Sequence, residues 1–365
     1  MARSEKERIT PSKRLKILSL SRLYSLIKKT RGISDPLEPD CEHLHAPSQD
    51  YNWNESFYFN FTDPKRAIGG WTRLGILPNQ DSDLGAMMLY VGGNRILATL
   101  QTGKAAAEDE SFSLGDLTYR REIPLMKWRL AYRGDMMDVE DSRRLPELNP
   151  ETLKLQQVEV DLLFEGLAPC FNFKDAHPRA LAEMVVNAGT RLKDLRQVSK
   201  VSSEHYEQAG KVTGMIKIGN REISFAGSGH RDHSWGLRDW AAPRLWTWLT
   251  SQFGDELSFN LSRVAIASVD IFNGFVTRDG NNYPVRRADL ETEFEGDGVT
   301  QKSLRFSIED AGGKTIEVSG EVLTVIPLVL ASGDRRTLVN EALTEYRFGD
   351  GVGYGISEYL HQLED

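Results

Sequence analysis

Short segments of alternating apolar and polar residues, separated by turn-forming residues, recur along this chain and constrain its fold more than any other feature. Residues 55–64, ESFYFNFTDP, place three phenylalanines on one side, which is the period of a half-buried β-strand. Similar segments flank the turns Gly92-Gly93-Asn94 and Gly219-Asn220, whose glycines can adopt positive φ. Strands repeating about every 8–12 residues indicate closed or sandwiched antiparallel sheets.

The strand pattern occurs in two blocks, interrupted by residues 174–200, which have a partly helical pattern. The chain has 365 residues, which is long enough for two well-buried cores. We therefore predict an all-β protein of two consecutive antiparallel barrels, over residues 50–195 and 196–365. Residues 1–49 are predicted to be a basic N-terminal extension with a short helix, followed by a proline-rich linker.

The composition excludes several functional classes. Two distant cysteines fit a reducing compartment, and the sequence has neither a long apolar span nor a signal-peptide pattern, so we expect a cytoplasmic protein. Residues 1–31 carry a net charge of +8, and the remaining residues carry −16 within a total of −8. An acidic body is a poor binder of phosphates, so no nucleic-acid partner is expected. The sequence does not indicate an oligomeric state.

Residues 13–31 combine basic side chains with leucines at close to helical spacing. Three interpretations remain open: a helix packed on the body, an unstructured tail, or a helix that contacts an anionic membrane surface.

Residues 227–240, GSGHRDHSWGLRDW, concentrate histidine, tryptophan, arginine and aspartate. A metal site formed by His230 and His233 is disfavoured because residues three apart on a strand point to opposite faces. Ser228 and Ser234 lack the flanking glycines of a nucleophile elbow, and the glycines of 349–355 do not have dinucleotide-binding spacing. We therefore expect neither a metal nor a cofactor.

Acid/base chemistry and a structural role remain for this segment. On a strand, Arg231, His233 and Trp235 share one face and Asp232 lies on the other. A buried Asp232 can retain its proton and protonate a double bond or a carbonyl group. Nearby tryptophans can shield the resulting cation, and Trp240 and Trp246 follow Asp232 by eight and fourteen residues. Alternatively, the Arg–Asp pairs connect strands and the tryptophans belong to a core.

The same segment, with HYEQAGKVTGMIKIGNREI before it and EYRFGDGVGYGISEY near the end, resembles the carotenoid 1,2-hydratase (hydroxyneurosporene synthase)/AttH-like superfamily. The resemblance covers roughly residues 50–365. It implies two lipocalin-like β-barrels and cofactor-independent hydration, cyclisation or isomerisation of a terpenoid- or polyene-like molecule. It also implies that Asp232 is the proton donor and His233 its orienting partner, although Ser234 stands where the hydratases have Asn.

We therefore predict an acid/base enzyme that binds a hydrophobic small molecule in a barrel pocket. The alternative is a carrier protein that holds a lipid or terpenoid without reacting with it. The candidate substrate-binding residues are Trp235, Trp240, Trp246, Glu207, Arg231, Tyr354 and Glu358. Four residues of the first block either line a mouth between the barrels or only pack there: Glu55, Tyr58, Asn60 and Trp71.

Overall fold

The computed structural model describes residues 10–31, 37–187, 204–240, 243–266, 269–332 and 335–363. Its helices are α1 (Pro11–Arg31) and α2 (Pro178–Asn187), and short 3-10 turns lie at Pro39–Glu42, Ser142–Glu147, Pro150–Thr152 and Phe173–Asp175. The strands are β1 (Trp53–Asp63), β2 (Ile68–Ile76), β3 (Asp83–Tyr90), β4 (Ile96–Gly103), β5 (Ala106–Ala107), β6 (Ser111–Leu114), β7 (Leu117–Ile123), β8 (Lys127–Val139), β9 (Lys154–Gly166), β10 (Phe171–Asn172), β11 (Glu204–Ile218), β12 (Arg221–Leu237), β13 (Leu245–Phe253), β14 (Leu257–Ile266), β15 (Val269–Arg278), β16 (Asn281–Phe294), β17 (Gln301–Asp310), β18 (Thr315–Ser332), β19 (Arg335–Phe348) and β20 (Gly351–Leu363).

The first barrel closes through antiparallel pairing in the order β11-β12-β1-β2-β3-β4-β8-β9, with β9 returning to β11. β10 pairs with β11, and β5 to β7 extend the sheet from β8. Alternating side chains fill the interior, including Phe57, Phe59, Trp128 and Phe164. Phe57 and Phe59 lie on the same side of β1 because residues two apart on a strand share a face, and this side points into the barrel.

The second barrel contains β13 to β20 in sequential order and is also closed. Its interior is built mainly from aliphatic and aromatic residues such as Leu249, Phe259, Phe306 and Tyr346. The structure therefore confirms the predicted fold class: an all-β chain with a short N-terminal helix.

The division of strands between the barrels differs from the domain limits predicted from the sequence. The sequence predicts that the second barrel begins at residue 196, whereas β11 and β12 lie in the first barrel and the second begins at Leu245. The hairpin of β11 and β12 turns at Gly219, whose φ is +58°. One of its strands pairs with β1 and the other with β9, so this hairpin closes the first barrel.

The outer faces of the two barrels pack against each other. Tyr58 and Trp71 of the first barrel contact a cluster that includes Trp248 and Ile356 of the second. β1 is therefore buried on both faces, rather than half-buried as its alternation predicts. We call this buried layer the interbarrel space.

The segment between α1 and β1 is more than a linker. Its 3-10 turn places Glu42 in the first barrel, where the side chain is fully buried. α2 confirms the predicted helical character within residues 174–200, of which 188–200 lie outside the described residues. In the described part of the chain, no helix combines the length and apolarity that crossing a bilayer requires.

Candidate active site between the barrels

Strand β12 separates the residues of the central motif onto two sides of the first barrel wall. Its register aligns Arg231 with Phe59 and His233 with Phe57, so both side chains point into the barrel. Asp232 aligns with Tyr58 on β1 and with Glu207 on β11, and these three side chains point into the interbarrel space. The alternation predicted from the sequence is therefore present, and it places Asp232 and His233 on opposite faces.

Arg231 forms a buried ion pair inside the first barrel. Its Nη1 donates to Glu42 Oε1 at 2.6 Å, and its Nε donates to Gln208 Oε1 at 2.8 Å. Burial alone would raise the pKa of the Glu42 carboxyl, but the Arg231 charge and the hydrogen bonds from Arg231 and the Leu125 backbone together leave this pKa below its usual value. Arg231 is thus a structural ion-pair partner in this arrangement, not part of the interbarrel space.

His233 belongs to a hydrogen-bonded chain in the same barrel. Its Nε2 lies 2.9 Å from Glu55 Oε1, and its Nδ1 lies 2.8 Å from the hydroxyl of Tyr206. His45 Nδ1 lies 2.8 Å from the same Glu55 oxygen, and the His45 ring stacks on Trp235 at 3.8 Å between centroids. These hydrogen bonds hold the 37–50 segment, through His45, against the end of the barrel.

His45, Glu55 and His233 are also the described residues best placed to hold a metal ion. One potential ligand atom from each lies within 4.8 Å of the others. Both imidazole nitrogens are at hydrogen-bonding distance from the Glu55 carboxylate, so these atoms already satisfy one another. The sequence expectation of no metal stays a prediction.

Asp232 lies in the interbarrel space beside other ionisable groups. Burial raises the pKa of Asp232 well above its usual value, and the neighbouring Glu207 raises it further, while Arg238 and Arg73 act in the opposite direction. Burial also raises the pKa of Glu207 to about 8. In both groups, burial therefore favours the protonated form.

Glu207 connects the two barrels. Its Oε2 lies 2.7 Å from His230 Nε2 and accepts a hydrogen bond of 2.7 Å from Asn260 Nδ2. Its Oε1 accepts a hydrogen bond of 3.1 Å from Trp248 Nε1. Burial and the Arg231 charge lower the pKa of His230 to about 3, so the Glu207–His230 contact joins two neutral groups.

A second pair of carboxyl groups faces Asp232 from the second barrel. Glu341 and Glu358 are register partners on β19 and β20. Burial raises both pKa values, and the charge of Glu358 raises that of Glu341 further. Two like charges in a buried site cannot both ionise at low cost, so the pair retains a proton.

Several buried polar atoms on this face make no hydrogen bond within the described part of the protein. The clearest are Asp232 Oδ1 and Trp246 Nε1, whereas Tyr58, Tyr90 and Glu341 have Asn60, Trp71, Glu358 and one another as polar neighbours. Buried polar groups are normally paired, so this group of atoms marks a site suited to a ligand with polar atoms. The tryptophan and tyrosine rings give the same site apolar walls.

One end of the interbarrel space remains partly accessible. Arg73, Asp232 and Glu358 are half-buried there, as are Arg238 and Trp246. Gly75 makes room for Arg73, because a Cβ at this position would lie 2.7 Å from Arg73 Nη1. Charged residues therefore surround the entrance, and aromatic residues lie deeper.

The structure brings together some predicted site residues and separates others. Asp232, Glu207, Glu358 and Trp246 meet in the interbarrel space, with Tyr58, Asn60 and Trp71 of the first block. Trp240 lies under the Arg238 guanidinium at 4.9 Å, and Tyr354 donates to Glu345 at 2.8 Å. Arg231, His233, Trp235 and Glu55 lie on the inner side of the first barrel.

The reasoning from sequence missed Arg73, Glu341 and Glu42. Glu341 had a readable signal, because a hairpin centred on residues 349 and 350 aligns it with Glu358. The recognised turn at 219 and 220 likewise aligns Glu207 with Asp232. Glu42 had no local signal, since its contacts depend on how a proline-rich segment docks.

Comparison with solved structures defines the fold class. The chain is similar to an AttH protein from Nitrosomonas europaea, with 12% identity, a TM-score of 0.59, and coverage of 90% of this chain and 98% of that one. Kievitone hydratase from Nectria haematococca is 10% identical, with a TM-score of 0.51 and coverage of 90% of this chain and 96% of that one. CghA with Sch210972 is 11% identical, with a TM-score of 0.50 and coverage of 88% of this chain and 93% of that one. The chain therefore shares the fold of these solved proteins, as the resemblance of its motif predicts.

Within this fold, the particular family is set by sequence. Residues 38–363 match the family described as a domain of unknown function (DUF7064), and the chain belongs to that family. A comparison with curated proteins found no match.

Proposed function

We propose that this protein is a cofactor-independent acid/base enzyme acting on a hydrophobic, terpenoid- or polyene-like small molecule in the interbarrel space. The observation that carries the proposal is the state of Asp232. Its pKa lies well above the usual value, and its Oδ1 makes no hydrogen bond in the described protein. A carboxylic acid kept neutral in this way can donate a proton to a carbon–carbon double bond or to a substrate oxygen.

The residues around Asp232 fit both stages of such a reaction. Before transfer, burial disfavours a negative charge on Asp232. After transfer, Arg73 and Arg238 stabilise the carboxylate that forms. The site thus favours the charge distribution that develops during proton donation.

The substrate cation would be held by aromatic faces. Tyr58 and Trp71 lie 6.1 Å apart between centroids, and Trp248 meets Tyr58 edge-on at 5.4 Å. Ring faces attract cations, and a site lined by them excludes water that would quench the intermediate too early. A bound water or an internal nucleophile ends the reaction, giving hydration or cyclisation; proton loss gives isomerisation.

Glu207 is placed to return the proton. It is the register partner of Asp232, and its pKa of about 8 allows it to release and take up a proton near neutral pH. The fold shared with a protein named a hydratase supports this reaction class. We therefore propose that the substrate pocket lies in the interbarrel space, rather than inside one barrel as the sequence predicts.

The test is proton transfer measured without knowing the natural substrate. The full chain is incubated in D₂O with a panel of lipophilic alkenes and prenylated phenols, and the products are analysed by mass spectrometry for deuterium uptake. We expect Asp232→Asn to reduce turnover by about 10²–10⁴-fold while ligand affinity is retained. Glu222→Gln, an exposed carboxyl on the same strand, serves as the control and keeps full activity.

The outcomes distinguish the enzyme from the carrier. If Asp232→Asn forms product at the wild-type rate, the proton-donor role is wrong. If the wild-type protein retains a lipophilic ligand and never transfers deuterium, the carrier function replaces the enzyme. Activity abolished by a chelator would contradict the cofactor-independent mechanism.

A further inference from the structure

Helix α1 has two faces with different environments. Ile17 is 3% exposed and Tyr24, seven residues later, is half-buried, so this face packs against α2. Four leucines lie outside that face and are exposed: Leu15 at 68%, Leu18 at 47%, Leu23 at 48% and Leu26 at 59%. Leu26 is nine residues from Ile17, which is two and a half turns, so it points in the opposite direction.

The exposed leucines lie among positive charges. Arg14, Lys16 and Arg22 are exposed, and α1 contains no acidic residue. At 100° per residue, Arg14 and Lys16 border the leucine face on either side and Arg22 lies within it. An apolar strip bordered by cations is the pattern of a helix that lies in the headgroup region of a bilayer.

We propose that the outward face of α1 docks this protein onto an anionic lipid surface. The charge of the chain favours this occupant and sets the orientation. Residues 1–31 carry +8, whereas the rest of the chain carries −16 and is repelled by anionic lipid. Among the described elements, α1 therefore faces the membrane, with its leucines in the boundary between headgroups and acyl chains and the barrels held in water. This inference does not depend on the proposed function.

The experiment is flotation of the full chain with vesicles of two compositions, pure phosphatidylcholine and phosphatidylcholine mixed with phosphatidylglycerol. We expect binding to the mixed vesicles, weaker binding to the neutral ones, and a decrease at high salt. The double variant Leu15→Ser/Leu26→Ser should lower the partition coefficient about 100-fold, at roughly tenfold for each leucine removed from the lipid. Lys16→Glu/Arg22→Glu should lower it at least ~25-fold, at about fivefold for each cation.

Matched controls are available on the barrels. Leu100 and Leu155 are each 63% exposed, and Leu100→Ser/Leu155→Ser should bind vesicles like the wild type. Lys65→Glu/Arg66→Glu changes two exposed cations away from α1 and should also have little effect. Circular dichroism of each variant checks that its secondary structure is retained.

Three results would overturn the proposal. The first is equal binding, or none, to the two vesicle types. The second is unchanged binding by the Leu15→Ser/Leu26→Ser variant. The third is a wild-type dimer that this variant converts to a monomer in light scattering without vesicle binding, which would make a second copy the occupant of the face.

Discussion

Replacing Arg231 by Met should strongly destabilise the protein by leaving a charge buried inside the first barrel. Arg231 Nη1 and Glu42 Oε1 are 2.6 Å apart, and the side chains are 2% and 0% exposed. At an effective dielectric constant of about 20, this contact corresponds to an attraction of about 6 kcal/mol, which offsets the cost of burying both ions. Removing one partner of such a pair typically costs about 3–5 kcal/mol, because the other remains charged and dry.

The double variant Glu42→Gln/Arg231→Met separates this explanation from simple loss of packing. With both charges removed, most of the loss should be recovered, since the Met side chain fills apolar space and the neutral amide that replaces the Glu42 carboxylate needs no counter-charge. The control is Arg95→Met. Its partner Asp138 lies at 2.7 Å, but Arg95 is 48% exposed, so the expected loss is below about 1 kcal/mol.

The free energy of unfolding is measured by urea titration, followed by tryptophan fluorescence and circular dichroism. In Arg231→Met, burial without a counter-charge raises the pKa of Glu42 above its unfolded value, so the folded protein binds the extra proton. The variant then loses stability as pH rises through that pKa. The difference in the free energy of unfolding between Arg231→Met and the wild type should therefore become smaller on acidification. A loss below about 1 kcal/mol for the single variant, or a double variant no more stable than the single, would refute the reasoning.

Two further predictions concern the interbarrel space and the wall of the first barrel. Because the pKa of Glu207 is raised from 4.5 to about 8, the folded state binds more protons than the unfolded state between these values. Stability should therefore fall as pH rises across this window, by up to about 1.4 kcal/mol per pH unit for this group, and Glu207→Gln should flatten the profile in urea titrations at several pH values; an unchanged slope would contradict the assignment. Gly229→Ala should lower the free energy of unfolding by about 1–3 kcal/mol, because a Cβ there would lie 2.3 Å from the Asn60 carbonyl oxygen. In the control Gly296→Ala, the added Cβ meets no atom within 4 Å, so its melting temperature should equal that of the wild type. Equal melting temperatures for the two variants would show that β1 can move away.

The sequence predicted those features that depend on strand period and turn position. Alternation separates Asp232 from His233, and the turn at 219 and 220 contains enough information to align Glu207 with Asp232. The motif resemblance predicted the double-barrel fold, which the comparison with solved structures confirms. The sequence does not predict which barrel β11 and β12 belong to, because both barrels have similar strand patterns. Only long-range strand pairing decides which barrel these two strands complete.

Other features depend on how distant parts of the chain pack together, which local sequence patterns do not predict. Whether Tyr58 faces solvent or a second barrel depends on how two closed barrels pack, not on β1 itself. The burial of Glu42 and the contact of His45 with Glu55 arise where a proline-rich segment crosses the end of a barrel. The pairing of Asp232 with His233 as acid and orienting partner came from the resemblance, and the strand geometry does not bring these side chains together.

The central claim is that Asp232 is held as a neutral acid between the barrels, and infrared difference spectroscopy measures this directly. The spectrum of Asp232→Asn is subtracted from that of the wild type at neutral pH, and Glu222→Gln provides the reference for an exposed carboxyl group. We expect Asp232→Asn to remove the carbonyl stretch of a protonated carboxyl group, because burial raises the pKa of Asp232. Loss of carboxylate bands alone would mean that Asp232 is ionised and would contradict its role as proton donor.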